Sequence, residues 1–237
     1  MAITKEQYIT RVLLIMNEAQ MTDKENNFYL GADTAQIDRY IEGSYVDAWR
    51  RCVAVMPRIW FENKQMEATQ DKVNFDSSTG VGYIILPDDF YLLSKFKMKK
   101  WLKPVFEASH DNEKVSSIQS NEFTRGSEIR PVCVISSKFI GLDYKPVMYF
   151  YSLPKGTINP EVEDAIYVPN AKPISDVPPA ENLKIDDRVL EPIAYLSAST
   201  VFTMFEKYDI AKALDQKVIE MFPALRSQKG NSVTFKQ

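Results

Sequence analysis

Apolar positions along the chain follow two rhythms. The first is helical. Thr4-Lys-Glu-Gln7 has the form of a capping box, in which the threonine hydroxyl accepts from an early backbone N–H and Gln7 reaches back. Tyr8, Val12, Ile15, Met16 and Ala19 then recur at three- and four-residue spacing, which predicts a helix from about Lys5 to Gln20. Asp23 to Gly31 reads as a connection. Asp33-Thr-Ala-Gln36 offers a second cap, followed by a broad stripe of Ile37, Ile41, Tyr45, Ala48, Trp49, Cys52, Val53 and Met56. Arg39, Glu42, Asp47, Arg50 and Arg51 lie mostly off that stripe. Pro57 removes a backbone donor and is expected to end or kink the helix, with Ile59, Trp60 and Phe61 able to continue past it.

From Asp71 to Val168 the rhythm shortens. The segments VNF, GYIIL, LLSKFKM, PVFEA, RPVCVIS, KFIGL, VMYFYS and DAIYV are rich in β-branched and aromatic residues. Turn chemistry separates them, including Ser77-Ser78-Thr79-Gly80 and Leu153-Pro154-Lys155-Gly156. The pattern predicts an antiparallel β domain of five to seven strands over residues 71–168, with a longer polar loop at 111–130.

Residues 169–182 carry four prolines, a composition that favours an extended linker. Helical spacing returns in 183–225. Val189, Ile193, Leu196 and Thr200 form one row, and Tyr195, Ala198, Phe202 and Phe205 its neighbour, so this helix should be buried round much of its girth. Pro192 fits only within the first turn. Asp209 is placed to cap a further helix with Ala213, Leu214, Val218 and Phe222, stopped by Pro223. Residues 226–237 lack acidic side chains and read as a flexible tail, although Val233 and Phe235, two apart, suit an added strand on a partner. Helices in 1–70, a β domain and helices again predict an α+β fold. The simplest arrangement packs the N- and C-terminal helices as one bundle, with the antiparallel β domain inserted between them.

Composition narrows the chemistry. The chain has 237 residues, 45% of them hydrophobic, enough for one sizeable core or two small ones. A net charge of −3 gives no chain-wide attraction to nucleic acid or anionic membrane, so such a role needs a local patch. No secretory signal and no run of ~20 apolar residues is present, so a protein folded in a cytoplasm is expected. Cys52 and Cys133 form no metal-ligand spacing and read as buried free thiols. His110 is the only histidine and sits in a polar stretch without a nucleophile motif. No GxxxxGK[ST] or GxGxxG loop occurs. Asp88-Asp89 follows a proline and reads as a turn; Asp186-Asp187 precedes a helix and reads as its cap. No catalytic residue, cofactor site or metal site is expected, and the protein reads as a non-enzyme.

The stretch YIILPDDFYLLSKFKMKKW, Tyr83 to Trp101, is the most suggestive. In an extended chain Lys95, Lys97 and Lys99 share one face, and Phe96 and Met98 the other. One reading is a half-buried strand with a solvated basic face; the other is a basic surface for DNA or an acidic neighbour. A nucleic-acid-binding module using these three lysines is the alternative function.

Three features in order also resemble a known family. They are IDRYIEGSYVDAWRRCVAVMPRIWF (Ile37 to Phe61), GYIILPDDFYLLSKFKM (Gly82 to Met98) and LEPIAYLSASTVFTMFEKYDIAKALDQKVIEMF (Leu190 to Phe222) followed by a polar tail. This order is similar to that of the head–tail connector, or adaptor, proteins of short-tailed bacteriophages (the tail tubular protein A type), and a crAss-like phage is one compatible source. The resemblance implies a non-enzymatic virion protein, assembled in the host cytoplasm and located at the tail or neck. Its copies would form a ring, dodecameric in that family, below the portal protein. The ring would extend the channel for viral DNA and seat other tail or ring proteins, with no membrane involved. The family offers no catalytic residues to carry over. Lys95, Lys97 and Lys99 become a possible channel- or neighbour-facing row. Arg226, Lys229, Val233, Phe235 and Lys236 match the family's docking tail by position and character. Segment 111–130 has no counterpart in the resemblance.

Overall fold

The computed structural model describes residues 3–22, 34–67, 73–178 and 181–227. Among them the protein is mixed α and β, with five α-helices and two sheets. The chain divides into two compact units. Met1–Glu62 joins Ala171–Gln237 in the first, and Asn63–Asn170 forms the second.

The first unit holds four of the helices. α1 spans Lys5–Thr22 and starts at the expected reciprocal cap: the Thr4 N–H donates to Gln7 Oε1 at 2.9 Å, and the Gln7 N–H donates to Thr4 Oγ1 at 3.2 Å. α2 spans Thr34–Val55, and every member of its predicted apolar stripe is buried. Pro57 does stop it; the chain continues as a single 3-10 turn, Arg58–Trp60. The capping role given to Asp33 falls outside the described residues. α4 spans Asp187–Met204 and α5 Tyr208–Ser227. α4 is buried round most of its girth, as its sequence requires. A hydrogen bond of 2.5 Å joins the buried Tyr8 hydroxyl of α1 to Ser197 of α4. Lys5 pairs with Glu42 at 2.7 Å between α1 and α2, and Arg51 with Asp215 at 3.1 Å between α2 and α5.

Three details differ from the sequence reading. Pro192 lies in the second turn of α4, not the first. Proline has no N–H for the Arg188 carbonyl, yet burial of its ring keeps it in the helix. α5 begins at Tyr208, so Asp209 sits in its first turn instead of capping it. α5 also continues through Pro223 to Ser227, which places Arg226 in the helix and not in a tail; one proline removes one backbone hydrogen bond and kinks a helix more readily than it ends it. The buried row of α5 is Ala211, Leu214 and Val218, and Ala213 is exposed.

The second unit contains β1 (Lys64–Gln65), β2 (Val73–Asp76), β3 (Val81–Ile85), β4 (Phe90–Met98), β5 (Ser109–His110), α3 (Glu113–Ser120), β6 (Cys133–Ile140), β7 (Asp143–Phe150) and β8 (Val162–Pro169). β1-β8-β4 form one sheet and β2-β3-β7-β6-β5 the other. The pairings are antiparallel except β5 with β6, which is parallel. RPVCVIS and KFIGL, read as separate strands, are consecutive parts of β6 and its turn. PVFEA contributes an isolated bridge from Val105 to Phe96. The loop expected at 111–130 contains α3, capped where the Asn112 side chain accepts from the Val115 N–H at 2.9 Å.

Both sheets contribute to one buried cluster that includes Leu93, Phe96, Met98, Trp101, Met148, Phe150 and Tyr167. The Trp101 indole N–H is satisfied by the Ser152 carbonyl at 3.0 Å. Gly82 permits this packing: a Cβ there would lie 2.1 Å from the Phe150 ring.

α4 ends in a Schellman arrangement. The Lys207 N–H donates to Phe202 O at 2.9 Å and the Glu206 N–H to Thr203 O at 3.0 Å, with Glu206 at φ 59°. A side chain with a Cβ is strained in this left-handed conformation, which glycine adopts freely. Glu206→Gly is therefore expected to stabilise the protein by about 0.5–1 kcal/mol, read as a higher urea midpoint; an unchanged or lower midpoint would contradict this account of the turn.

Candidate functional site

Lys95 and Lys97 lie on β4, an edge of the three-stranded sheet, and Lys99 directly follows it. Phe96 and Met98 point into the core, as the alternation requires. The lysines do not present an unpaired basic face. Lys95 Nζ is 2.5 Å from Asp164, Lys97 Nζ 2.7 Å from Glu163 and Lys99 Nζ 2.7 Å from Glu161. All three carboxylates belong to β8 or the residue just before it. The ladder brings them within reach: Lys97 stands opposite Asp164 and Met98 opposite Val162, with irregularities at Leu93/Lys95 and Lys97/Met98 that shift the register. Each pair is partly or largely exposed, so its contribution to stability is small. Its effect on the surface field is larger, because three positive charges each have a negative neighbour.

The Leu-Pro-Asp-Asp segment is a turn, but not the loop of a hairpin. It carries the chain from β3 in one sheet to β4 in the other, closed by the Phe90 N–H donating to Pro87 O at 3.0 Å. Asp89 fixes this corner. Lys64 donates to one of its oxygens at 2.6 Å and the Tyr167 hydroxyl to the other at 2.7 Å, while the Asn170 N–H donates to its carbonyl at 2.7 Å. Burial works against ionisation of Asp89. Hydrogen bonds from Lys64 and Tyr167, with the lysine charge, outweigh it and hold the carboxyl below the usual carboxylate range.

Two apolar surfaces stand out that the sequence reading did not single out. The first is the far end of the β6–β7 hairpin. β3 accompanies β7 only as far as Val147, and β5 accompanies β6 only at Val134 and Ile135. Beyond these points the hairpin runs on as a two-stranded ribbon without a strand on either side among the described residues. Its two-residue turn puts Gly141, at φ 69°, in the first central position, which suits a type II′ turn. Phe139 and Tyr144 face each other across the ribbon with ring centroids 5.3 Å apart. Phe139 is 58% exposed, Tyr144 75% and Leu142 92%. The signal for this feature was in the sequence, where Gly141 and Leu142 separate two apolar-rich segments.

The second surface is a groove of about 540 Å³ in the first unit. Trp60, Phe61, Leu183 and Ile185 form its buried lining, and Ile59 stands 74% exposed beside them. Glu62, Glu181, Lys184 and Asp186 supply its charge. Lys184 pairs with Glu62 at 2.8 Å. Asp186 caps α4 by accepting from the Arg188 N–H at 2.9 Å, and it also binds the Arg188 guanidinium at 2.7 Å. The Arg188 side chain, aided by its N–H and opposed by partial burial, holds the Asp186 carboxyl down to about 2. The extended segment 183–185 is anchored by bridges from Leu183 to Ile3 and from Ile185 to Phe61.

His110 is exposed in β5, and its carbonyl accepts from Asn112. Cys52 and Cys133 are free and buried, and burial pushes the Cys52 thiol up to about 12. Among the described residues, no group of three or more His, Cys, Asp or Glu side chains has a metal-binding arrangement, and no helix is long and apolar enough to cross a membrane. Lys229, Val233, Phe235 and Lys236 lie outside the described residues. No protein-family model matches the chain, and no curated protein matches it.

The Asp186 cap gives a signed pH dependence. Its folded-state value lies below the ordinary aspartate value of about 4, so its contribution is complete above that pH and is lost as pH falls towards about 2. Asp186→Asn should cost ~1 kcal/mol at neutral pH and flatten the stability profile between about pH 4 and 2. Urea unfolding across that range checks this; a variant with the wild-type slope would place the acid sensitivity elsewhere.

Proposed function

We propose that this protein is a structural assembly subunit whose activity is association, and that it forms a ring at the head–tail junction of a short-tailed bacteriophage. The observation that carries the assembly reading is the projecting β6–β7 ribbon, which holds three large apolar side chains in solvent on a defined turn. Exposed apolar clusters of this kind mark protein contact surfaces. Placement in a phage neck rests on the family resemblance of Ile37 to Phe61, Gly82 to Met98 and Leu190 to Phe222. On this reading the N- and C-terminal helices form one bundle, into which the β domain is inserted. The ring sits below the portal protein, passes viral DNA through its channel and seats other tail or ring proteins in the virion.

The alternative, a nucleic-acid-binding module using Lys95, Lys97 and Lys99, is the less favoured reading, because each of these lysines has a carboxylate partner. Near-neutral charge on that face suits a channel wall that must let DNA slide, since strong phosphate neutralisation would hold it.

Electron microscopy of the protein mixed with the portal protein of the same phage tests the proposal. Rings stacked on the portal are expected, with the protein alone monomeric or weakly associated. Absence of the protein from portal complexes under assembly conditions would sink the assignment to the neck.

A further inference from the structure

We propose that the β6–β7 ribbon of one copy seats in the Ile59–Leu183 groove of another copy, with Lys145 of the ribbon facing Glu181 of the groove. This deepens the assembly reading and rests on it.

The two surfaces match in chemistry. The ribbon offers Phe139, Leu142 and Tyr144, an aromatic-rich set of the type that dominates contact energies. The groove is a shallow, open depression of about 540 Å³ that offers the exposed Ile59 beside an apolar lining. Their charges are complementary. The ribbon carries Lys138 and Lys145 against a single acid, Asp143, whereas the groove carries Glu62, Glu181 and Asp186 against Lys184. Most of these charges have local partners: Lys138 lies 3.8 Å from the Tyr83 ring centroid, Glu62 pairs with Lys184, and Asp186 pairs with Arg188. Lys145 and Glu181 are exposed and make no ion pair at bonding distance among the described residues; Glu181 feels the charge of Lys184, but that lysine is bonded to Glu62, so Lys145 and Glu181 are the complementary pair most open to a second molecule.

The ribbon is also prepared for insertion. A two-stranded ribbon alone is marginal in water. This one is rooted in the five-stranded sheet, tied by the Leu86 N–H to Pro146 O at 3.0 Å, and held at its end by the Phe139–Tyr144 contact. Little ordering entropy remains to be lost on docking. The two surfaces differ, so the contact is head-to-tail and propagates from copy to copy, which on the ring reading ends in closure instead of an open filament. A tip of about ten residues falls short of the ~1,200 Å² that stable pairs bury. An isolated pair should therefore be weak, and closure of the ring supplies the remaining affinity by raising effective concentration.

The test mixes full-length Leu142→Cys with differently tagged full-length Ile59→Cys at high concentration and adds a short bismaleimide. Cys52 and Cys133 are buried and should react slowly. Cross-links between the two tags are expected. Lys145→Glu in the ribbon partner should lower their yield at least about tenfold, and Glu181→Lys in the groove partner should restore it. Thermal melts check that each variant folds; if Ile59→Cys melts early, Lys184→Cys on the groove replaces it. Dominant Leu142–Leu142 cross-links, a yield indifferent to the charge swap, or no cross-link at the highest concentration would overturn the proposal. So would vesicle binding, on phosphatidylcholine with phosphatidylglycerol, that is lost in Leu142→Asp. Portal-bound rings without the mixed cross-link would reject this contact and leave the neck assignment standing. The mixed cross-link without portal binding would do the reverse.

Discussion

The pairing of β4 with β8 is the constraint on which the β unit depends. One side of that ladder buries Leu93, Phe96 and Met98 of β4 with Ala165 and Tyr167 of β8. The same pairing brings Glu161, Glu163 and Asp164 to the three lysines. Core formation and charge cancellation are thus consequences of one register. The apolar burial supplies the free energy, since exposed ion pairs contribute little. The ion pairs instead determine what the surface presents to other molecules. A long edge strand with paired lysines is also a poor template for unwanted strand addition.

Cancelling the basic row shifts attention to the apolar projections. The β6–β7 hairpin extends beyond its strand neighbours, where its outermost side chains meet no core. Such exposure is unfavourable in an isolated chain and becomes useful when a partner covers it. The Asp89 corner supports this arrangement from within the same unit. By binding Lys64, Tyr167 and Asn170 it fixes where the chain leaves one sheet for the other.

The helices were largely legible in the sequence because their information is local. Thr4 and Gln7 announce the start of α1, and the predicted stripe from Ile37 to Met56 is buried at every position. In α4 the predicted rows are buried at Val189, Ile193, Leu196, Ala198 and Phe202, but Tyr195, Thr200 and Phe205 are half-buried, and the small Ala194, Ser197 and Ser199 are buried between the rows. What could not be read was non-local. Alternation at Lys95, Lys97 and Lys99 fixed which side chains share a face, but not that residues 161–164 would lie beside them. That fact depends on a strand pairing more than sixty residues apart in the chain. The change of sheet at Leu86–Asp89 was hidden for the same reason, because a turn motif does not say which sheet follows it. The ribbon is hidden differently: KFIGL by itself reads as an independent strand, which conceals a long hairpin with Gly141 at its turn. Asn112, by contrast, was a local cap signal sufficient to predict α3.

Whether the lysine row is neutralised in solution decides between an assembly protein and a nucleic-acid-binding one. Anisotropy of a short labelled DNA duplex, measured with the wild-type chain and with the triple variant E161Q/E163Q/D164N at about 50 and 200 mM salt, measures this directly. The account predicts negligible wild-type binding at either salt, and salt-sensitive binding by the variant whose lysines have lost their partners. Strong, salt-dependent binding by the wild type, unchanged in the variant, would contradict it.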